Sequence, residues 1–182
     1  GWYGNGKGFI YKTEDGGKSW KKQLHKPGTF VRALGFIDEK HGYMGNIGPH
    51  YFPGVEDSNP LYQTHDGGRT WKIVKAVSGN DLKGVCAIDV LKAEFINSGI
   101  RDERITVRAA GRVGSPAQMA TSRDGGKTWK TENLSKHAAM ILDVKFINES
   151  TGFLCAASHP DMKKTNGKIL KTIDGGVTWK TV

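Results

Sequence analysis

Short apolar runs and polar turns alternate along the whole chain. Within the runs, apolar and polar residues recur with the period of two that is typical of half-buried β-strands, as in Arg104-Ile-Thr-Val-Arg-Ala109. No useful window shows the 3.6-residue period of an amphipathic helix. Glycine-rich turns separate the runs at short intervals, as in all-β proteins. The pattern therefore predicts an all-β protein.

One short phrase occurs four times and divides the chain into repeats. Its tryptophans lie at positions 20, 71, 129 and 179, so successive copies are 50 to 58 residues apart. A fixed period of this length is typical of repeat architectures, in which each unit needs its neighbours to complete a core.

Each copy of the phrase predicts a hairpin turn. Two adjacent glycines can adopt positive φ without steric penalty, as a tight reversal requires. The aspartate before them can accept hydrogen bonds from the turn, and the hydroxyl after them can bond the same carboxylate. The tryptophan then begins the next strand and buries its ring against the turn and the adjacent repeat. The residues with this predicted structural role are Asp15, Gly17, Ser19, Trp20, Asp66, Gly68, Thr70, Trp71, Asp124, Gly126, Thr128, Trp129, Asp174, Gly176, Thr178 and Trp179.

The phrase resembles the Asp-box (BNR) repeat, S/T-x-D-x-G-x-T/S-W, and all four copies match it. The resemblance implies that each copy joins the third and outermost strands of a β-propeller blade. Four equivalent aspartates cannot all belong to one active site, so these aspartates are predicted to be structural.

A second phrase recurs between the copies and predicts two further strands in each repeat. It occupies residues 31–45 and 142–156, with a longer version at 87–109. Four antiparallel strands in each repeat are typical of a propeller blade. The sequence therefore predicts a single all-β propeller segment over 1–182, with about four blades that form part of a larger ring. A closed four-bladed ring is the alternative. The predicted blades span 1–24 (partial), 29–75, 84–132 and 140–182.

The two phrases together are similar to those of the Ycf48/HCF136-type photosystem II stability and assembly factors and their non-photosynthetic relatives. The similarity rests on Phe36-Ile-Asp38, Gly42-Tyr43 and Phe146-Ile-Asn148, combined with the Asp-Gly-Gly turns. It implies a propeller without enzymatic activity or cofactor that binds a partner protein. It also implies an extracytoplasmic location, whether periplasmic, secreted or lumenal.

The charge of the chain narrows the range of partners. Lysine and arginine total 27 against 18 acidic residues, a net charge of +9, and the lysines are scattered along the strands. A nucleic-acid site would concentrate charge beside exposed aromatic rings, so no nucleic-acid partner is predicted. The charge favours a protein with an acidic surface, or an anionic glycan. No apolar run approaches the ~20 residues of a membrane-spanning helix, so no transmembrane segment is predicted.

Two long loops, 48–60 and 158–167, are candidate binding segments, because loops on a rigid scaffold commonly carry function. Insertions without a binding role are the alternative. The candidate residues are His50, Tyr51, Glu56 and Asp57 in the first loop, and His159 and Asp161 in the second.

Arg104, Arg108 and Arg112 are further candidates because they share one face of a predicted second strand. Such a strand is normally packed on both faces, so arginines there are unexpected. Either this face lines an exposed groove that binds carboxylates, or the arginines form salt bridges to the next blade.

The alternative function is glycoside hydrolysis, since sialidases and some endoglucanase-type hydrolases carry the same repeats. The segment Phe30-Val-Arg32-Ala departs at two positions from the F/Y-R-I-P expected of sialidases. Hydrolysis needs two carboxylates across the scissile bond, which the adjacency of Glu56 and Asp57 does not itself supply. No catalytic residue is predicted.

Histidines and cysteines lack the paired spacing of a metal site, so no metal is predicted. Cys86 and Cys155 lie in apolar runs. Two buried free thiols and a disulfide between neighbouring repeats are both compatible with this pattern.

Overall fold

The computed structural model of the chain describes residues 1–77, 82–97 and 100–182, and it confirms the all-β prediction. The strands form four antiparallel sheets in chain order, here called blades one to four. Blade one has three strands and each of the others has four. The strands are β1 (Trp2–Gly4), β2 (Phe9–Lys12), β3 (Lys21–His25), β4 (Val31–Phe36), β5 (Gly42–Asn46), β6 (Leu61–Thr64), β7 (Lys72–Ile73), β8 (Ala87–Asn97), β9 (Ile100–Gly111), β10 (Gln118–Ser122), β11 (Lys130–Asn133), β12 (Met140–Phe146), β13 (Gly152–Ala157), β14 (Gly167–Thr172) and β15 (Lys180–Thr181).

The Asp-box turns join the last two strands of each blade, so that β1 to β3 of blade one correspond to the second to fourth strands of the other blades. In blade two, the Thr70 hydroxyl donates to Asp66 at 2.6 Å, and the Thr64 hydroxyl donates to the same carboxylate at 2.9 Å. Gly67 and Gly68 have φ of 75° and 89°, values that favour glycine. The other three boxes show the same carboxylate–hydroxyl bond, through Asp15 and Ser19, Asp124 and Thr128, and Asp174 and Thr178.

The first hydroxyl of the box is a participant that the sequence argument missed. The oxygen of Thr64 also accepts the backbone N–H of Gly68 at 2.9 Å, and Thr13, Ser122 and Thr172 do the same in their own turns. The indole of each box tryptophan donates to the carbonyl of the second glycine, at 3.0 Å for Trp71. Each box is therefore closed by bonds within a few residues of one another.

These bonds make the stability of the protein sensitive to acid. Hydrogen bonds from Thr178 and then Thr172 lower the pKa of Asp174 from 3.8 to about 2. Because the folded pKa lies below the unfolded value, the stabilisation is complete above about pH 4 and is lost as the pH falls through about 2. We expect the gap in unfolding free energy between the parent and Asp174→Asn to shrink over this range, as measured by urea titration. A gap that stays constant would contradict this assignment.

Adjacent blades are joined by a side chain that reaches into the following blade from the residue paired with the position just before each Asp box. The Trp2 ring stacks on Phe36 with centroids 3.6 Å apart, and its indole donates to the Gly67 carbonyl at 2.9 Å. The Tyr43 hydroxyl donates to the Gly125 carbonyl at 2.9 Å. Arg108, the equivalent residue of blade three, lies 3.4 Å over the Phe146 ring of blade four. At the first two junctions the side chain therefore bonds the Asp-box turn of the next blade, and at the third it packs on Phe146 of the next blade.

Strands β8 and β9 form the longest hairpin among the residues that the structure describes. These strands pair along their whole length, but β10 pairs with β9 only from Val107 to Gly111. The hairpin therefore projects past its own sheet at the end where the box turns lie.

Two predicted environments need correction. Both cysteines are free, but only Cys86 is buried, so the expectation of two buried thiols fails for the exposed Cys155. Trp20 was expected to bury its ring against a neighbour and is instead 47% exposed, whereas Trp179 is 5% exposed. Cys155 lies in a strand and Trp20 follows a turn, as predicted. The prediction fails only in that no neighbouring blade covers either side chain among the residues that the structure describes.

Candidate functional site

Three loops converge at the end of the blades opposite the box turns. They are the connections between the second and third strands of blades two, three and four, at residues 47–60, 112–117 and 158–166, and we call this end the loop face. The Tyr51 hydroxyl donates to the Pro160 carbonyl at 3.3 Å, which links the loops of blades two and four. A Cβ at Gly114 would lie 1.7 Å from the same hydroxyl, so the blade-three loop also packs closely on Tyr51. The structure thus brings together the two loops that the sequence singled out.

Arg112 holds the loops in place. One guanidinium nitrogen donates to the carbonyls of Pro49 and Lys83 at 3.2 and 3.4 Å. The charged group also lies 5.3 Å from the centre of the Tyr51 ring, a cation–π contact. Burial lowers the pKa of Arg112 from its ordinary value. Arg112 is half-buried, and it therefore links the loop of blade two to the segment that precedes β8.

Asp57 belongs to the framework of its loop, which corrects its prediction as a binding residue. Its side chain is 6% exposed, accepts the Thr29 hydroxyl at 2.7 Å and lies 3.2 Å from the Lys26 ammonium. Burial raises the pKa of Asp57, but hydrogen bonds from Tyr62, Thr29 and Asn59 outweigh it and lower the pKa overall. The ionised Asp57 carboxylate therefore fixes the 47–60 loop to Thr29 and Lys26.

The second loop is shaped by short-range bonds. His159 accepts the backbone N–H of Asp161 through Nδ1 at 2.9 Å, and Asp161 accepts the backbone N–H of Lys163 at 2.9 Å. Asp161 and Lys163 are exposed, and His159 is half-buried. The loop is therefore a defined turn that presents polar groups to the solvent.

Two apolar side chains stand exposed on these ordered loops, and the sequence analysis did not select them. Phe52 is 39% exposed and Met162 is 59% exposed. In the second loop Met162 stands among polar residues, whereas Phe52 follows Tyr51 in a loop that also contains Val55. His50 and Glu56, in the same loop as Phe52, are exposed. We call Phe52, Met162, His50 and Asp161 the loop patch.

Arg104 and Arg108 of β9 and Arg112 directly after it lie in three different environments and do not form one groove. Arg108 is fully buried and lies 3.7 Å from both Asp89 and Glu149, so the exposed-groove interpretation is wrong for it and the salt-bridge alternative is correct. Arg104 is exposed on the projecting hairpin, 5.2 Å over the Phe95 ring. Arg112 lies on the loop face.

Lys145 and Arg123 complete the charge cluster around Arg108. The Lys145 ammonium lies 2.8 Å from Asp89, and the Arg123 guanidinium lies 3.0 Å from Glu149. Burial lowers the pKa of Arg108 to about 10, so its guanidinium stays protonated at neutral pH. The cluster joins blade three to blade four.

A recess lies at the box end, between blades two and three. It has a volume of about 500 Å³, and the projecting hairpin forms one wall through Phe95 and Arg104. The opposite wall carries His41 and His65, whose rings meet edge to face with centroids 5.4 Å apart. The His41 ring also lies 2.8 Å from Asp38.

Two features are absent from the part of the chain that the structure describes. Within it, no group of three or more histidine, cysteine, aspartate or glutamate side chains is placed to hold a metal ion. Nor does any helix there have the length and apolar character needed to cross a membrane.

Comparisons with known proteins bear on the repeat and the fold. A family model described as the BNR/Asp-box repeat matches residues 120–131, a range that contains the third copy of the box. Vacuolar protein sorting/targeting protein 10 of Clavispora lusitaniae is 25% identical over 125 residues, which cover 67% of this chain and 7% of that protein. The Asp-box resemblance predicted from the sequence is therefore confirmed.

Two solved structures share the architecture. YCF48 from Cyanidioschyzon merolae superposes with a TM-score of 0.57 at 20% identity, covering 90% of this chain and 42% of that one. An ancestral GH74 enzyme superposes with a TM-score of 0.58 at 13% identity, covering all of this chain and 29% of that one. The chain thus spans less than half the length of each of these proteins. At these identities the likeness shows the fold, which is a Ycf48-like β-propeller arrangement of blades.

Proposed function

We propose that the chain is a non-catalytic propeller scaffold that binds a partner protein through the loop patch. The observation that carries the proposal is the exposure of Phe52 and Met162 on loops that Tyr51 and Arg112 fix in place. Large apolar side chains contribute most to binding when they are already ordered, because little conformational entropy is then lost on association.

The charge of the chain favours an acidic surface on that partner. The net charge is +9, and lysines 163 and 164 adjoin Met162 in the second loop. Opposite charges across an interface raise the association rate and select the partner. The Ycf48-type resemblance supports the same function, together with a location outside the cytoplasm. An anionic glycan is the second ligand class that this charge fits.

Glycoside hydrolysis is the competing function, because the architecture is shared with a GH74 enzyme. A hydrolase needs two carboxylates that face each other across a cleft. Asp57 is instead bound to Thr29 and Lys26 of the connection between blades one and two, which removes it from such a pair.

The proposal is tested by affinity capture from extracts of the source organism with the double variant Phe52→Asp, Met162→Asp. Both side chains are exposed, so the fold is expected to persist while capture of the specific partner falls at least about tenfold, the loss of one binding hot spot. The matched control is Val177→Asp, which is 79% exposed in the fourth box turn at the opposite end.

Equal capture by the parent and the double variant would contradict the loop patch as the binding site. Release of reducing sugar from β-glucans or sialosides by the purified chain would overturn the non-catalytic assignment and favour the hydrolase.

A further inference from the structure

Two histidines lie side by side on the recess between blades two and three. Gly42 of β5 pairs with Thr64 of β6, and His41 and His65 occupy the next positions of the same register. Residues that face each other across antiparallel strands have their Cβ atoms about 5 Å apart, so their side chains are neighbours. The two imidazole rings accordingly lie with their centroids 5.4 Å apart. Both residues are exposed, so the pair is accessible from the solvent.

Asp38 fixes the orientation and the tautomer of the His41 ring. The two oxygens of its carboxylate lie 3.0 and 2.8 Å from Nδ1 of His41. An ionised carboxylate only accepts hydrogen bonds, so Nδ1 carries the proton and donates it. In the neutral ring the lone pair then lies on Nε2. A carboxylate placed in this way is the usual outer support of a histidine that binds a metal ion through its other nitrogen.

The spacing of the two rings fits one shared transition-metal ion. Zinc–nitrogen bonds of about 2.0 Å at tetrahedral angles place the centroids of two imidazole rings roughly 5 Å apart. The χ2 torsion of a histidine is broad, and His65 is exposed, so its ring is able to turn. Such a turn aims one nitrogen of His65 at the ion that Nε2 of His41 holds.

The charges around the pair also favour a cation. The side chains that line the recess include four carboxylates against three cationic groups, although the chain as a whole carries a net charge of +9. The local balance is therefore negative, and at short range it is the local charges that act most strongly on an ion. The carboxylates are those of Asp38, Asp102, Glu103 and Asp124, and the cationic groups are those of Arg104, Arg123 and Lys127.

Blade four shows that the fold does not require the histidine pair. It has Thr151 and Ile173 at the equivalent positions, directly after the last pair of its second and third strands. Its turn is nevertheless held in the same way, because Asn148 accepts the backbone N–H of Thr151 at 2.7 Å, as Asp38 accepts that of His41 at 2.7 Å. The turn thus forms without imidazole rings, which leaves the rings of blade two for another role.

We infer that His41 and His65 together bind one divalent transition-metal ion, with Asp38 as the residue that positions His41. The chain supplies two nitrogen ligands, so the other coordination positions are left to water or to a ligand from outside the chain. Imidazole nitrogens select copper, nickel and zinc over magnesium and calcium, which prefer oxygen. The spacing of histidines along the sequence does not reveal this pair, because the two residues meet only across β5 and β6.

The site is distinct from the loop patch and does not depend on the proposed function. It lies at the box end of the blades, whereas the loop patch lies at the opposite end. Loss of the metal is therefore expected to leave partner capture through Phe52 and Met162 unchanged.

Isothermal titration calorimetry with Ni²⁺ tests the inference, in a Cys155→Ser background that removes the exposed thiol as a competing ligand. The parent is expected to bind one ion at this site, and excess Mg²⁺ is expected not to displace it. His41→Thr and His65→Ile introduce the residues of blade four and are each expected to weaken binding by more than about a hundredfold. Asp38→Asn is expected to weaken binding about tenfold, as loss of an outer carboxylate does, without changing thermal unfolding of the metal-free chain.

The matched control is His25→Thr, which removes an exposed histidine of β3 outside the recess and is expected to bind Ni²⁺ as the parent does. Electron paramagnetic resonance with one equivalent of Cu²⁺ counts the ligands, with two imidazole nitrogens expected in the parent and one in each histidine variant of the recess.

Three results would each overturn the inference. They are a parent chain that binds no Ni²⁺, recess variants that bind Ni²⁺ as tightly as the parent, and a copper spectrum that neither histidine variant changes. An Asp38→Asn chain with the affinity of the parent would overturn the positioning role of Asp38.

Discussion

Replacing Arg108 with alanine is expected to lower the free energy of unfolding by about 2–5 kcal/mol, because the removal of a fully buried side chain leaves a cavity between blades three and four. The guanidinium lies 3.7 Å from Asp89, whose side chain is 1% exposed, and alanine would leave that carboxylate with one cation fewer. The contact with the Phe146 ring at 3.4 Å would be lost as well. Because these groups belong to different blades, the change weakens the junction between blades three and four.

Urea unfolding at neutral pH, followed by tryptophan fluorescence, measures this loss. The matched control is Arg123→Ala, which removes another cation from the same Glu149 but at a site that is 48% exposed. Solvent screens such a pair, so the control is expected to lose less than about 1 kcal/mol. Similar losses in the two variants would show that the burial of Arg108 contributes nothing beyond a surface ion pair.

Replacing Tyr43 with alanine is expected to cost about 3–5 kcal/mol, as large-to-small changes of buried aromatic residues do. Tyr43 is 3% exposed, and its ring meets Trp129 of blade three edge to face with centroids 5.6 Å apart. Its hydroxyl bonds the Gly125 carbonyl inside the box turn. Alanine would leave a cavity between blades two and three and would remove the inter-blade hydrogen bond.

Tyr43→Phe separates the two contributions, because it keeps the ring and removes only the hydroxyl. It is expected to cost about 0.5–1.5 kcal/mol, the net contribution of one hydrogen bond. The same urea titration applies to both variants. If the phenylalanine variant lost as much as the alanine variant, the hydroxyl rather than the packing of the ring would hold the blades together.

The sequence was most informative where the determining contacts are local. The predictions for Asp66, Gly67 and Thr70 needed only the chemistry of one turn, and the structure shows the carboxylate bonded within that turn. The recurrence of this turn then indicated the number of sheets, because each copy must join the third and fourth strands of a blade.

Candidate binding residues were harder to select from the sequence. Asp57 looked like an exposed loop carboxylate but lies in a network with Thr29 and Lys26. Phe52 and Met162 were not selected from the sequence because apolar residues are expected to be buried, yet both are exposed. Composition indicates which loops carry chemistry, but exposure depends on how each loop folds against its neighbours.

By itself the sequence determined the all-β class, the repeat and the four Asp-box turns, because these depend on bonds and φ values within a few residues of each other. Only the tertiary structure decided what Arg104, Arg108 and Arg112 do, although they recur at every fourth position of one run that forms β9 and continues into the next loop. That strand runs from the projecting hairpin through a blade interface to the loop face, so a single periodic pattern meets solvent, buried carboxylates and loop carbonyls in turn. Periodicity specifies the direction of a side chain, and the neighbouring blade specifies what that side chain meets.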